Sequence, residues 1–304
     1  MSTAAPLSEP PLSSKVALGF TALLFSAGAM GASGIFVRLA ETGPFASAFW
    51  RVALSLPFLW AWAIGARGGT ARRPGWSMAE VAAGLLFAGD LFCWHLAVLG
   101  TSITNATLLA TLAPVWIVIA SAVFLGETVS RRTVAGLVLC LLGGIALVGG
   151  SWHMAAGGVM GDLWGLITSF FFAAYFLTLK VARADGRSAG LVMARSTMVT
   201  TAALLVVVLV AGESFRPQSL NGLWALAALA LVSQVGGQGL LAVALGMLPA
   251  AFSSLVIFLE AVAAALLGWA VLGEPVTGPQ MIGGAAILAG VFIARPGGGR
   301  AAEG

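Results

Sequence analysis

Leu125-Gly126-Glu127-Thr128-Val129-Ser130 recurs as Leu272-Gly273-Glu274-Pro275-Val276-Thr277, and Gly136 and Gly143 recur as Gly283 and Gly290. Each pair is 147 residues apart in a chain of 304. Both copies follow a long apolar run and lead into a glycine-rich apolar run, so one unit occurs twice. The chain is 60% hydrophobic and 9% charged, where a soluble domain carries roughly 25% charged residues. A helix needs about 20 mostly apolar residues to cross the hydrocarbon. Ten such runs are readable, near 16–37, 44–64, 79–99, 103–125, 133–150, 161–181, 190–211, 220–246, 250–272 and 279–294. With five in each copy, the second copy enters the bilayer upside down. Unpaired strands cannot face lipid, and these runs are too long and too uniformly apolar for the alternating strands of a β-barrel. The expected fold is an all-α integral membrane protein of ten transmembrane helices. They form two inverted five-helix repeats, 15–150 and 151–295, between a disordered tail 1–14 and a C-terminal tail 296–304.

Basic residues set the expected orientation. With the N-terminus in the cytoplasm, the cytoplasmic segments hold Lys15, Arg67, Arg72, Arg73, Arg131, Arg132, Lys180, Arg183, Arg187, Arg295 and Arg300. The opposite side holds only Arg38 and Arg216. This bias places both termini in the cytoplasm. The net charge of +4 is scattered over short loops, which argues against nucleic-acid binding. Lys15 and Ala27-Gly28-Ala29 imitate a signal peptide, but the apolar run between is longer than the usual 7–15 residues. Cys93 and Cys140 lie in different spans and read as small apolar groups.

The stretch Asn105-Ala-Thr-Leu-Leu-Ala-Thr-Leu-Ala-Pro114 leading to Leu125-Gly126-Glu127 resembles the EamA-type repeat of the drug/metabolite transporter superfamily. Ser253-Ser254-Leu255 through Leu259-Glu260 to Leu272-Gly273-Glu274 resembles the closing half of a second unit, and Arg51 and Arg195 sit at matched positions. The resemblance covers roughly 16–294. It implies ten helices in an inverted pair and secondary transport, often export of amino acids or related metabolites. The aromatic amino acid exporters and the threonine/homoserine exporters are members. The second unit often carries Glu-Pro where this chain has Glu260-Ala261, so the kink of that proline is either absent or supplied otherwise.

Charges inside spans are the candidate site residues, because each costs about 2.5–3.5 kcal/mol to insert at the helix centre. Asp90 lies mid-span, with Trp94 on its face and His95 close by. It suits a substrate ammonium group or a proton, or else it pairs with an arginine. Glu260 is central in the ninth span, while its counterpart in the first copy is Ala113. A charge present in one half only suits a substrate or proton site; the alternative is an ion pair with Arg195. Arg51 and Arg195 are duplicated with the repeat and read as architectural charges or a gate, or as an anion site. Gln234 and Gln238 form one polar stripe among Gly236, Gly237 and Gly239, either lining a cavity or bonding between helices. Asn105, Ser253 and Ser254 are polar groups at the starts of the fourth and ninth spans. Trp94, Trp116 and Tyr175 either stack on a ligand or pack against neighbours. Trp76, Trp152 and Trp224 read as interface anchors. Glu127 and Glu274 read as a turn motif closing a hairpin, with Ser130 and Thr277 as N-caps.

The expected function is export of amino acids or similar small polar metabolites by alternating access in a bacterial cytoplasmic membrane. The bacterial assignment rests on an Ala-, Gly- and Arg-rich composition with few lysines. An uptake or exchange carrier for other metabolites or cationic drugs is the alternative on the same fold. An intramembrane enzyme would need a clustered acid/base set, and Asp90, His95 and Glu260 are spread in depth. No P-loop is present, and His95 and His153 have no metal-ligand spacing around them, so no cofactor, metal or catalytic residue is expected. The expected partners are a small-molecule substrate, protons as a coupling option, and the lipid bilayer, for a monomer or weak dimer. Reporter fusions after residues 70, 130 and 185 should report the cytoplasm, and one after 156 the opposite side. Reversal at any two overturns the inverted arrangement.

Overall fold

The computed structural model describes residues 12–65, 75–100, 106, 109–149, 159–184, 186–272 and 276–295. Every element among them is a helix. In chain order they are α1 (Leu12–Gly31), α2 (Ser33–Leu39), α3 (Pro44–Ala53), α4 (Leu56–Gly65), α5 (Met78–Gly100), α6 (Ala113–Phe124) and α7 (Arg131–Gly149). The second half holds α8 (Val159–Ala184), α9 (Ala189–Ala211), α10 (Leu220–Ala228), a π-helical segment Leu229–Gln238, α11 (Gly239–Leu245), α12 (Ala250–Leu255), α13 (Ile257–Leu272) and α14 (Gly278–Ala294). Residues 12–14 of the expected tail are already helical. The expected tails at 1–11 and 296–304, with Asn105, Trp152, His153 and Glu274, lie outside the described residues.

Seven stretches are long and apolar enough to cross a membrane: Ser14–Leu39, Pro44–Gly65, Met78–Ala97, Val159–Ala184, Ala189–Ala211, Leu220–Leu245 and Ala250–Val271. The shorter apolar helices α6 and α14 pack among them. Large side chains such as Phe25, Phe58, Phe124, Val210 and Ile282 are exposed on the outside. Such a belt is what lipid, rather than water, solvates. Tyr175, Phe176, Phe258, Leu59 and Met193 fill the interior.

Helix pairings come in exchanged couples. α5 packs on α8 as the π segment and α11 pack on α1, and α6 packs on α8 as α13 packs on α1. The last helices of the two units, α7 and α14, pack on each other. A Cβ on Gly136 would stand 2.5 Å from the Gly290 carbonyl oxygen, and one on Gly290 would stand 2.7 Å from that of Gly136. Gly143 and Gly283 repeat this at 2.7 and 2.5 Å. Only residues without a Cβ permit such an approach. Contacts 136–290 and 143–283 run in opposite directions, so the helices are antiparallel. Each glycine meets the duplicate of the other one, which a two-fold axis perpendicular to the pair produces. Cys140 Sγ lies 3.6 Å from the carbonyl oxygen of Ile287, its own counterpart in the repeat.

Several long stretches are interrupted. α1 and α2 meet at Ala32, α3 and α4 at Leu54-Ser55, and α12 and α13 at Val256. The last break needs no proline: the Leu259 amide donates to Val256 O at 2.8 Å, tightening the turn just before Glu260. The Leu-Gly-Glu step also has a backbone reason. Gly126 has φ +63°, a conformation that other residues adopt at a cost.

The seam makes a prediction. Gly143→Ala should destabilise the protein by about 1–3 kcal/mol, since the new methyl meets backbone that cannot yield. Gly144→Ala, whose Cβ would stand 3.5 Å from the Phe258 ring, should be neutral. Thermal denaturation in detergent checks this, and equal melting temperatures for both variants would remove the seam from the account.

Candidate functional site

The helix interruptions converge on one cavity of about 260 Å³. Met30, Gly31, Ser33 and Gly34 reach it from the α1–α2 break, Ile257, Glu260 and Ala261 from just beyond the α12–α13 break, and Leu229 and Gln238 from the two ends of the π segment. Broken helices and π turns set polar groups facing inward where a regular helix would present only side chains at fixed angles. α3 contributes Ser47, Ala48 and Arg51, α5 contributes Phe87, Asp90, Trp94 and His95, and α8 contributes Thr168 and Phe172.

Arg51 is buried and is held from several sides. Its Nε donates to Gln234 Oε1 at 3.1 Å and its Nη1 to Ser33 Oγ at 3.4 Å, its Nη2 lies 3.7 Å from Met30 Sδ, and its guanidinium lies 5.7 Å from the Phe87 ring centre. Asp90 and Glu260 both act on Arg51 electrostatically. Among the described residues, however, neither carboxylate has a hydrogen bond or an ion pair at contact distance. Their oxygens face the cavity instead. His95 Nδ1 lies 2.5 Å from Leu91 O. A carbonyl only accepts, so Nδ1 carries the proton and Nε2 is an acceptor; this Nε2 is buried without a partner. The imidazole is set by Trp94, edge-on at 5.0 Å, and by Phe45 at 6.0 Å.

Six of the sequence candidates therefore meet in the cavity: Arg51, Asp90, Trp94, His95, Gln238 and Glu260. Tyr175 stands behind Gln238, donating to its Oε1 at 3.0 Å, and does not line the wall. Gln234 is also withdrawn: it carries Arg51 on its oxygen and approaches Thr197 Oγ1 with its nitrogen at 3.5 Å. Ser253 and Ser254 are fully buried and bond back to Pro249 O and Ala251 O, each at 2.9 Å. Trp116 donates to Ser169 Oγ and stacks on Phe170.

Arg195 is not Glu260's partner. Its Nη1 donates to Glu80 Oε2 at 3.0 Å and to Gly75 O at 2.9 Å, and its guanidinium lies 5.1 Å from the Trp76 ring centre. Arg187 joins the same carboxylate at 3.4 Å. The matched arginines thus have different uses, Arg51 in the cavity and Arg195 in a buried ion cluster at the start of α5. Glu127 corrects a second reading. Its amide does bond back to Ser121 O at 3.2 Å in its own turn, but its carboxylate accepts the Ala250 and Ala251 amides at 2.9 and 3.2 Å, capping α12 in the other half, with Lys180 at 3.9 Å. Ser130 and Thr277 do cap α7 and α14.

Residues 17–149 and again residues 159–295 match the EamA-like transporter family. The chain belongs to that family. An uncharacterized transporter of Archaeoglobus fulgidus is 29% identical over 198 residues, 65% of this chain and 69% of that protein. A protein of known crystal structure superposes on 93% of this chain and 98% of its own, with TM-score 0.77 and 21% identity, a likeness of fold. The superfamily resemblance of the sequence holds. As an EamA-like protein, the chain is a multi-pass membrane protein of a family of small-molecule transporters.

The sequence reading passed over Glu80. Its signal was present: Ser77 and Glu80 make a capping box, with the Ser77 amide donating to Glu80 Oε2 at 2.9 Å and the Ala79 amide to Ser77 Oγ at 3.2 Å. The two kinds of buried carboxylate should respond differently to neutralisation. Glu80→Gln strands two cations and should cost about 3–5 kcal/mol. Asp90→Asn and Glu260→Gln remove a charge without a contact partner, so thermal stability in detergent should hold or rise. Melting all three variants side by side checks this, and a collapse of Asp90→Asn or Glu260→Gln would make that residue structural.

Proposed function

We propose that this protein is a secondary transporter that exports amino acids or related small polar metabolites carrying an ammonium group. It works by alternating access in a bacterial cytoplasmic membrane. Ten helices in two inverted five-helix units, with both termini in the cytoplasm, are the arrangement that goes with this reading. The observation that carries it is the pair Asp90 and Glu260, two carboxylates at a cavity that have no contact partner among the described residues, beside the cation Arg51. With both ionised, the three groups sum to one excess negative charge, which draws a cargo ammonium group to the carboxylates. The His95 acceptor and the Trp94 and Phe87 faces supply further contacts for a cation and an apolar side chain. A cavity of about 260 Å³ is below the 300–1,000 Å³ of drug-sized sites, in keeping with a small metabolite. Phosphate cargo calls for several cations, and Arg51 faces two carboxylates there.

Protons and a substrate ammonium group compete for the same carboxylates on this reading, which makes exchange of one for the other the natural coupling. The test is counterflow of labelled amino acids in proteoliposomes, with and without an imposed pH gradient. Flux of at least one amino acid is expected, with loss of flux in Asp90→Asn and Glu260→Gln at unchanged folding. Folded protein that moves no amino acid or amine overturns the proposal.

A further inference from the structure

We infer that Gln238, oriented by Tyr175, is the neutral hydrogen-bond donor of the cavity and selects cargo that bears a carboxylate beside its ammonium group. The inference rests on the transport reading above and narrows its substrate class from amines in general to amino acids.

Gln238 ends the π segment, is fully buried and lines the cavity. Its amide has two unlike ends, an oxygen that accepts and a nitrogen that donates. The Tyr175 hydroxyl is buried, and its one proton finds Gln238 Oε1 at 3.0 Å. The Tyr175 ring cannot swing away, because it is stacked on Phe87 with centroids 4.6 Å apart and tilted against Phe172 at 6.0 Å. Fixing the oxygen toward Tyr175 fixes the nitrogen away from it. That nitrogen has no partner. A buried donor left unmade is costly and calls for an explanation in a native structure.

Gln234, one turn earlier on the same segment, supplies the comparison. Both ends of its amide are engaged, by Arg51 and by Thr197. Several other donors at the cavity are engaged, though the Trp94 indole N–H, which also lines it, shows no bond among the described residues. Ser47 bonds Pro44 O, Thr168 bonds Asp90 O, and Arg51 is directed at Gln234 and Ser33. Asp90, Glu260 and His95 Nε2 offer acceptors. Gln238 Nε2 is therefore a fully buried donor that waits for an acceptor from the cargo, and a carboxylate oxygen satisfies it. Tyr175 acts through Gln238 as a positioning residue.

The experiment compares probes that differ only in the carboxylate: phenylalanine against phenethylamine, and lysine against 1,5-diaminopentane. Binding to the full-length protein in detergent is followed by thermal shift and by the fluorescence of Trp94 against a Trp94→Phe background. Wild type should prefer the amino acid by roughly ten- to a hundredfold, the range of one charge-assisted hydrogen bond. Gln238→Met should bring the preference close to unity by weakening the amino acid far more than the amine. Tyr175→Phe, which lets the amide turn over, should lose part of it. Gln238→Met strands the Tyr175 hydroxyl and is less stable for that reason. The double variant Tyr175→Phe/Gln238→Met removes both partners and should regain stability while the preference stays lost. A folded double variant with the wild-type ratio overturns the inference, as does a wild type that binds amine and amino acid equally; either leaves the transport reading standing. Binding of neither probe pair by wild type overturns the inference, and the transport reading falls with it only where the flux assay also finds no amino acid or amine moved.

Discussion

Two pairs of glycines that meet backbone to backbone hold the two halves in register. Gly136 against Gly290 and Gly143 against Gly283 let α7 and α14 approach to a distance that any side chain would forbid. Because each glycine faces the duplicate of the other, the contact is made twice by the same sequence. That is the condition a two-fold axis imposes. It fixes the end of each unit against the end of its copy and sets the two runs antiparallel. The exchanged pairings elsewhere, α5 on α8 and the π segment on α1 among them, follow from the same axis. Lipid offers no hydrophobic drive for helices to associate, so close van der Waals packing of this kind has to supply it.

The charges break the symmetry that the glycines create. Arg51 and Arg195 lie within one helical turn of matched positions, yet Arg195 is tied into a buried cluster with Glu80 while Arg51 stands with Asp90 and Glu260 at the cavity. The first arrangement pairs buried charges at contact distance, which keeps their desolvation tolerable. The second keeps two carboxylates out of contact with Arg51, the cation they act on. Nothing in stability accounts for that, since apolar residues in their place would pack at lower cost. Carboxyl groups kept without a contact partner inside a membrane are retained for what enters the cavity.

Much of the fold was legible because it was written twice. The 147-residue recurrence of Leu-Gly-Glu with its glycines announced two units, and those glycines prove to be the seam. Arg51, Asp90 and Glu260 were legible for an energetic reason: a charge within an apolar run is rare enough to mark a cavity. What escaped was tertiary. The partner of Arg195 sits at a helix start, where Glu80 looks like an ordinary interface residue until its capping box is noticed. Glu127 caps a helix 123 residues away, a contact no local pattern carries. The break before Glu260 has no proline to announce it, and the π segment lies where Gly237 leaves room for Met30 of α1, with Ser26 and Ser233 bonding across. Tyr175 and Gln234 were readable as polar groups in apolar spans, but whether such a group faces a cavity or supports one that does depends on helix rotation.

The charge balance of the cavity also bears on how an empty and a loaded carrier differ. On the proposed reading the empty site holds Asp90 and Glu260 against Arg51, an imbalance that water in the open cavity must solvate. Closing the cavity removes that water, and a net charge left behind in low dielectric is then expensive. A bound zwitterion leaves the count as it was but brings its ammonium group to the carboxylates and its carboxylate to a donor such as Gln238, replacing water with fixed partners. A proton on either carboxylate cancels the excess directly. Cargo and proton are thus two ways of making the same site fit to close. A carrier built on this balance closes most readily when one of them is present, which is the elementary requirement for exchange across a membrane.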